Sequence, residues 1–498
     1  MTSHEADYII VGGGSAGCIL ARRLSDAGIG EVLLIEAGSS DEGDPVATQL
    51  SRLGEQDDSY DWGYAATPFP GGPKTIAYPR ARMLGGCGNH NDCAFMPPHP
   101  FDLDRWERLG AAGWSSHGLQ AAQARLENQT NIEDSPVGAP IGQAFIAACR
   151  ELGLPERQFR DGLEAGAGWF PLNAKGDLRN SSSVAYLHPL ADRRSTLDVL
   201  TGVTVSRLVI DDQTCVGVET DRGIARARRE VVLCAGAINT PQIMMLSGLG
   251  PAEHLTEHGI DSRVDLPGVG QNLLDHAAAS VVVALKQPVA ASERTPWEAT
   301  ALIRLDEDAP APDALFHFAA VAGDKADVHK APDAERSALV ISPNVAGPKS
   351  RGWVELANAD PNAPPRIDLN YFSDAEGYDQ RILGSALRFA RRIAATEALG
   401  PFAGTEIRPG TQVESDDALF AYMRERCETV YHASGTCRMG RADDRLSVVT
   451  PDLRVKGVKG LRIADASVFP DMVTANINNT VMLVAEQASL LITGDPIN

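Results

Sequence analysis

The chain opens with a short apolar, β-branched run at residues 7–11. It stops at a cluster of glycines and gives way to apolar positions at helical spacing, Ala16, Ile19, Leu20 and Leu24. A second apolar run follows at 31–36, so the pattern predicts a strand–helix–strand unit. Farther on, a strand-like run at 230–233 leads through Gly236 into an apolar helix, with Pro241 expected in the first turn, where a missing N–H costs nothing. Residues 460–468 read as another strand. Residues 476–491 read as a closing helix on the spacing of Val481, Leu483, Val484, Ala488 and Leu491, and 383–395 as an amphipathic helix on that of Leu383, Ala386, Leu387, Phe389 and Ile393. No repeat of 20 to 50 residues is present, which excludes solenoids and propellers.

Clustered prolines at 288–312 and 361–365 mark loops around a separate lobe that begins near Ala278. A chain of 498 residues exceeds one ordinary domain. The expected division is a nucleotide-binding domain from 1–131, 191–277 and 430–498, with 132–190 and 278–429 forming the second domain. Asp and Glu total 66 against 45 Lys and Arg, and the resulting net charge of -21 repels phosphate backbones and anionic lipid, so no nucleic-acid partner is expected. The first residues lack a basic segment and the apolar runs fall short of the roughly 20 residues of a membrane span, giving an expected cytoplasmic location and no membrane association. Eight scattered cysteines without C-x-x-C spacing read as thiols, with no metal implied.

Gly12, Gly14 and Gly17 have the G-x-G-x-x-G spacing directly after a strand and at the start of a helix, and Glu36 ends the next strand. The glycines permit a tight turn and close approach of a pyrophosphate to the helix N-terminus. A carboxylate at 36 accepts ribose hydroxyls and repels a 2′-phosphate, so FAD or NAD is favoured over NADP.

Longer motifs carry a family resemblance. Gly236-Ala-Ile-Asn-Thr-Pro-Gln, running on to Gly250, and Arg82-Met-Leu-Gly-Gly-Cys-Gly-Asn-His-Asn91 resemble signatures of the glucose-methanol-choline (GMC) flavoprotein oxidoreductases. Val430-Tyr-His-Ala-Ser-Gly-Thr-Cys-Arg-Met-Gly440, Asp452-Leu-Arg-Val-Lys-Gly457 and Gly460-Leu-Arg-Ile-Ala-Asp-Ala-Ser467 extend the match over nearly the whole chain. Tyr60-Asp-Trp62, the Ser181–Pro189 stretch and Thr429-Val-Tyr-His432 are similar to the choline oxidase-like branch of that family. The resemblance implies an α/β fold, α+β overall: a Rossmann-like FAD-binding domain with an inserted substrate-binding domain on an antiparallel sheet.

It also implies FAD as cofactor, held by Gly12, Gly14, Ser15, Gly17, Glu36, Arg82, Gly86, His90, Asn91, Val203, Asp465 and Ala466. Val203 faces the adenine in this reading, Asn91 lies in the isoalloxazine loop, and Asp465 and Ala466 meet the ribityl and pyrophosphate. His90 falls where the branch joins a histidine covalently to the flavin; the alternative is an imidazole that only hydrogen-bonds its own loop. His432 and Asn476 correspond to the catalytic pair, with His432 either the base that takes the hydroxyl proton or an electrostatic clamp on the alkoxide. Trp62, Trp297 and Tyr431 match aromatic members of a cation cage, His317 a second histidine, and Val430 the apolar residue near the site of dioxygen reaction.

Departures from the pattern bear on the substrate. Ala278 stands where the branch has an anchoring glutamate, so choline is not the expected first substrate. Asp92 replaces a small residue, either re-anchoring an amine or capping a backbone amide, and the chain is shorter than the family near 131–142. The expected activity is FAD-dependent oxidation of a primary alcohol to the aldehyde, and through its hydrate to the acid, with dioxygen reduced to hydrogen peroxide. The alternatives are a dehydrogenase passing electrons to a quinone or protein, and a non-redox lyase on the same fold. The expected assembly is a homodimer.

Overall fold

The computed structural model describes residues 4–70, 74–134, 140–160, 162–190, 196–287, 289, 295, 297–322 and 337–494. The proline-rich stretch therefore begins outside the described residues, at 288, and so does part of the short segment near 131–142.

One large sheet is built on the strand His4–Val11, which runs parallel between Val32–Ile35 and Gly223–Leu233. Leu197–Leu200 adds a parallel strand outside Val32–Ile35, and Leu461–Ile463 pairs in parallel with the end of Gly223–Leu233. The first half of that long strand forms an antiparallel meander with Thr214–Thr220 and Val205–Asp211. Ile9, Ile10, Leu34, Val231 and Val232 are wholly or almost wholly buried, as parallel strands covered on both faces require. The helices Gly17–Ala27 and Asn478–Thr493 belong to the same core, the second buried almost throughout its length.

A second sheet is antiparallel, in the order Ala403–Arg408, Val281–Leu285, Ser337–Val345, Ala314–Ala322, Trp297–Ile303, Gly166–Trp169. The helix Tyr378–Ala394 buries Ile382, Leu383, Ala386, Leu387, Ala390 and Ile393 in one cluster with Phe316, Phe318, Leu339 and Ile341 of this sheet. Its helical stripe matches the periodicity read from the sequence, extended by one turn at the start.

Three expectations need correction. Residues 460–468 are not one strand: Leu461–Ile463 ends at Asp465, whose carboxylate accepts the Ser467 N–H and starts the single turn Ala466–Val468. Pro241 lies inside the helix Gly236–Leu246 rather than in its first turn. The Ala237 carbonyl, which a non-proline residue at 241 would engage, instead accepts the Thr436 hydroxyl at 2.7 Å. The closing helix starts at Asn478, which leaves Asn476 on the turn before it and free to face inward.

Candidate active site

A cavity of about 1100 Å³ runs from the glycine turn of the first sheet to the edge of the second. Gly12 sits at φ +98°, and a Cβ there would meet the Cys234 carbonyl oxygen at 2.6 Å. A Cβ on Gly17 would stand 1.9 Å from the Gly12 oxygen, so this glycine lets the helix close on the turn and does not itself line the cavity. Gly14, by contrast, lines it, and a Cβ there would meet only the Gly86 Cα at 3.8 Å, which leaves its backbone open to a ligand.

Glu36 accepts the Gly13 N–H at 2.7 Å and the Gly38 N–H at 2.8 Å, and burial pushes its carboxyl up to about 6. Ser15 donates to Asn478 Oδ1 at 2.8 Å. Arg82, Gly86, Val203, Asp465 and Ala466 line the same wall. Asp465 is already engaged: it accepts from Gly236 N–H, the Thr240 hydroxyl and Ser467 N–H, tying the start of the helix Gly236–Leu246 to the turn after Ile463.

At the far end His432, Asn476, His276, His317 and Asp275 converge. His276 Nε2 lies 3.1 Å from both the Ala346 and Val473 carbonyl oxygens, which only accept, so Nε2 carries the hydrogen. Burial holds this ring below its ordinary pKa, so it is neutral and its Nδ1 is a bare lone pair. That lone pair faces His432 Nδ1 at 2.7 Å, which makes His432 Nδ1 the donor and leaves His432 Nε2 bare. His432 is itself held well below its ordinary pKa by burial, reinforced by His276 and His317.

The Asn476 amide nitrogen stands 3.3 Å from His432 Nε2 and 3.5 Å from His317 Nε2, while its buried oxygen has no partner in the protein. Asn344 donates to the Leu315 carbonyl and meets His317 Nδ1 at 3.3 Å, so His317 accepts at Nδ1 and presents Nε2–H. Burial brings the His317 ring down to about 4, and it lies against Phe170 and edge-on to Trp297. The cavity end therefore offers a bare imidazole nitrogen beside two neutral N–H donors.

Asp275 fixes this arrangement. One oxygen accepts the backbone N–H groups of His432 and His276 at 2.8 and 3.0 Å; the other accepts the hydroxyls of Tyr371 and Thr429, both at 2.6 Å. Thr429 also accepts the Tyr431 N–H at 2.7 Å, and Arg80 donates to the Tyr431 carbonyl at 2.7 Å. Tyr431 is held in the left-handed region at φ +65°, an arrangement a non-glycine residue adopts only when its surroundings impose it. Sequence reasoning missed Asp275 and His276: an Asp-His dipeptide has no motif value until the fold brings residue 432 beside it.

His90 lines the cavity half-buried, with a pKa lowered by burial, and so presents a neutral imidazole. Its loop is anchored on both sides. Asn89 donates to buried Asp41 at 2.8 Å, which also takes Ser183 and pairs with His188; the Asn91 carbonyl accepts from Arg179. Asn91 Oδ1 accepts the Cys93 N–H, and Asp92 lines the cavity. Trp62 lines it too, although the Arg82 guanidinium already lies 4.9 Å from its ring centre. Trp297, Tyr431 and Val430 complete the wall. The structure thus brings every site residue expected from the sequence to this one cavity except Gly17, which sits just behind it. Among the described residues no cluster of three or more His, Cys, Asp or Glu side chains could hold a metal, and no helix is long and apolar enough to cross a membrane. All eight cysteines are thiols.

Comparison with known proteins shows the class of protein to which this fold belongs. Residues 6–278 and 348–485 match the two family models of the GMC oxidoreductases, and the chain belongs to that family. It is 40% identical to the choline oxidase of Arthrobacter globiformis, over 99% of this chain and 95% of that protein. An oxygen-dependent choline dehydrogenase of Sinorhizobium medicae is 34% identical over 97% and 95%. Among solved structures, pyridoxine 4-oxidase from Mesorbium loti superposes with a TM-score of 0.88 at 29% identity, covering 97% of this chain and 98% of that one.

Proposed function

We propose that the protein is an FAD-dependent alcohol oxidase that converts a primary alcohol to the aldehyde, and through its hydrate to the acid, with dioxygen reduced to hydrogen peroxide. The observation that carries this reading is the bare Nε2 of His432, fixed by its tautomer and facing the N–H donors of Asn476 and His317 inside a cavity continuous with the glycine cradle.

FAD fits the residues present. The open backbone at Gly14 and the unpartnered oxygen of Asn476 offer it groups the protein does not itself satisfy, and the buried carboxylate of Glu36 lies on the same cavity. Gly12, Gly14, Ser15, Glu36, Arg82, Gly86, Asn91, Val203 and Ala466 hold it, Gly17 and Asp465 shape the turns that do so, and His90 is the site of covalent attachment, a role its neutral imidazole suits. When bound, FAD accepts the hydride and passes the electrons to dioxygen.

The chain's own part is proton and charge handling. His432 Nε2 takes the hydroxyl proton. His317 Nε2–H and the Asn476 amide hold the oxygen as negative charge develops on it, and His276 keeps His432 in the tautomer that can accept. Trp62, Trp297, Tyr431 and Asp92 shape the substrate end. The relatives named as oxidases or as oxygen-dependent support dioxygen over a quinone or protein acceptor. Support for a cofactor domain of 1–131, 191–277 and 430–498 and a substrate domain of 132–190 and 278–429 is that the parallel-centred and antiparallel sheets draw on these segments. A homodimer in the cytoplasm is part of the same reading.

The test is anaerobic mixing of the purified protein with a panel of primary alcohols. Bleaching of the flavin absorbance, followed in air by oxygen uptake matched by peroxide, is the expected result. A flavin that no alcohol bleaches would overturn the reading in favour of a lyase; bleaching without oxygen uptake would favour the dehydrogenase.

A further inference from the structure

Asp41 is a fully buried carboxylate that takes no part in the proton handling at His432, and it stands behind the cavity wall rather than on it. Such an acid is retained only with hydrogen-bonded partners. The Asn89 amide donates to Oδ2 at 2.8 Å and the Ser183 hydroxyl at 2.5 Å, while His188 Nε2 lies 3.0 Å from Oδ1. His188 is partly exposed, and its bond to Asp41 raises its pKa, which favours the charged ring beside the acid. Ser183–Leu187 is a single wide turn, closed by the His188 N–H on the Ser183 carbonyl at 2.9 Å. That five-residue closure brings both side chains onto one carboxylate, and turns of this type recur at functional sites.

The partners converge on the residue next to His90. Asn89 ends the turn Gly86–Asn89; its amide also donates to the Leu84 carbonyl at 2.9 Å, and its own carbonyl accepts from Gln56 at 2.8 Å. Gly85, at φ +87°, leaves room for this junction, since a Cβ there would stand 2.2 Å from Asn89 Nδ2 and 2.5 Å from Ser183 Oγ. The Gly85 N–H donates to the Gly13 carbonyl at 2.7 Å, which fixes the turn against the glycine cradle. On the other side of His90, fully buried Arg179 donates to the Asn91 carbonyl. The His90 ring itself faces the cavity, so the backbone on its two sides sets where it stands.

We propose that Asp41, charge-balanced by His188, is a positioning residue that holds the His90 ring where it can bond to the flavin. This rests on the covalent-FAD reading and adds to it the residues that make attachment efficient. In that step His90 gives up its N–H hydrogen and gains a bond to the flavin 8α-carbon, which also gives up one hydrogen. The two electrons pass through the flavin ring to dioxygen, which leaves with both hydrogens as hydrogen peroxide. A reacting group displaced by about 1 Å loses on the order of 10²-fold in rate, so a loosened turn is felt first in attachment.

The experiment measures, in freshly purified FAD-loaded protein, the share of flavin that stays with the acid-precipitated chain. Nearly all is expected to stay in the parent. Asp41→Asn sets an amide against the Asn89 and Ser183 donors and is expected to lower the share about tenfold, and His188→Ala about threefold, with total flavin per chain unchanged. His188→Gln keeps an N–H donor toward Asp41 and is expected to lie between His188→Ala and the parent. Thr436→Val removes a buried bond to the Ala237 carbonyl and is expected to lower Tm at the parental share, which separates placement of His90 from general loosening. Should Asp41→Asn fail to fold, the partly exposed His188 carries the test. Parental shares in the folded Asp41 and His188 variants would overturn the proposal, as would an equal loss in Thr436→Val. A parent that releases all its flavin into acid would overturn the covalent reading and the proposal with it, whereas a covalent parent with unaffected variants would overturn the proposal alone.

Discussion

At the scale of single residues, the proposed chemistry turns on one lone pair. His432 Nε2 is bare because His276 is pinned by two carbonyl oxygens, and that constraint passes through Nδ1 to Nδ1. Removing the imidazole in His432→Ala leaves the glycine turn, the proposed cofactor cradle, intact. It is expected to slow anaerobic flavin reduction about 10²- to 10³-fold with little change in substrate affinity. The pH dependence has a definite sign. Burial lowers the His432 pKa, so the base stays unprotonated as pH falls past the ordinary histidine value of 6.5, and the acid limb of the reduction rate lies below that value. A stopped-flow rate that already declines above pH 6.5 would contradict this tautomer argument.

The glycine turn, Glu36, His90 and His432 were legible in the sequence because each sits in a local motif whose neighbours are adjacent in the chain. Asp275 and His276 were not, since their meaning depends on residues more than 150 positions away. Trp62 shows the same limit: its type suggested a cation cage, but only the fold reveals that Arg82 already covers its ring.

At the scale of elements, long-range hydrogen bonds decide where helices begin. Asp465 accepts the Gly236 N–H and so starts the helix Gly236–Leu246 earlier than Pro241 alone suggested. That early start places Pro241 in the helix interior and orphans the Ala237 carbonyl, which Thr436 then satisfies at 2.7 Å. Thr436→Val keeps the side-chain shape and removes the donor, leaving a buried carbonyl unpaired at a cost of about 1–3 kcal/mol. Thermal unfolding monitored by circular dichroism is expected to show the lower Tm; Thr436→Ser, which restores the hydroxyl, is expected to recover most of it. The helix 383–395 was legible because its apolar stripe is local, whereas the positions of Pro241 and Asn476 depend on partners from another part of the chain.

At the scale of the whole molecule, the cavity lies between a parallel-centred sheet and an antiparallel one, and its filling couples cofactor binding to stability. A group that binds only the folded chain stabilises it by an amount that grows with its free concentration, about 2.7 kcal/mol at one hundred times Kd. If His90 carries FAD covalently, the parent protein cannot lose it: acid precipitation is expected to leave the flavin in the pellet, and Tm is expected not to respond to added FAD. His90→Ala breaks that link, so its Tm is expected to rise with FAD concentration. Glu36 then sets the pH response. Its carboxyl is raised to about 6 by burial, and only the ionised form is a pure acceptor for ribose hydroxyls. In His90→Ala, FAD affinity is therefore expected to hold above that pH and weaken as pH falls through it, as read by calorimetric titration. An affinity flat from pH 7.5 to 5 would show that Glu36 is not the ribose acceptor; a parent protein that releases all its flavin into acid would show that His90 does not hold it.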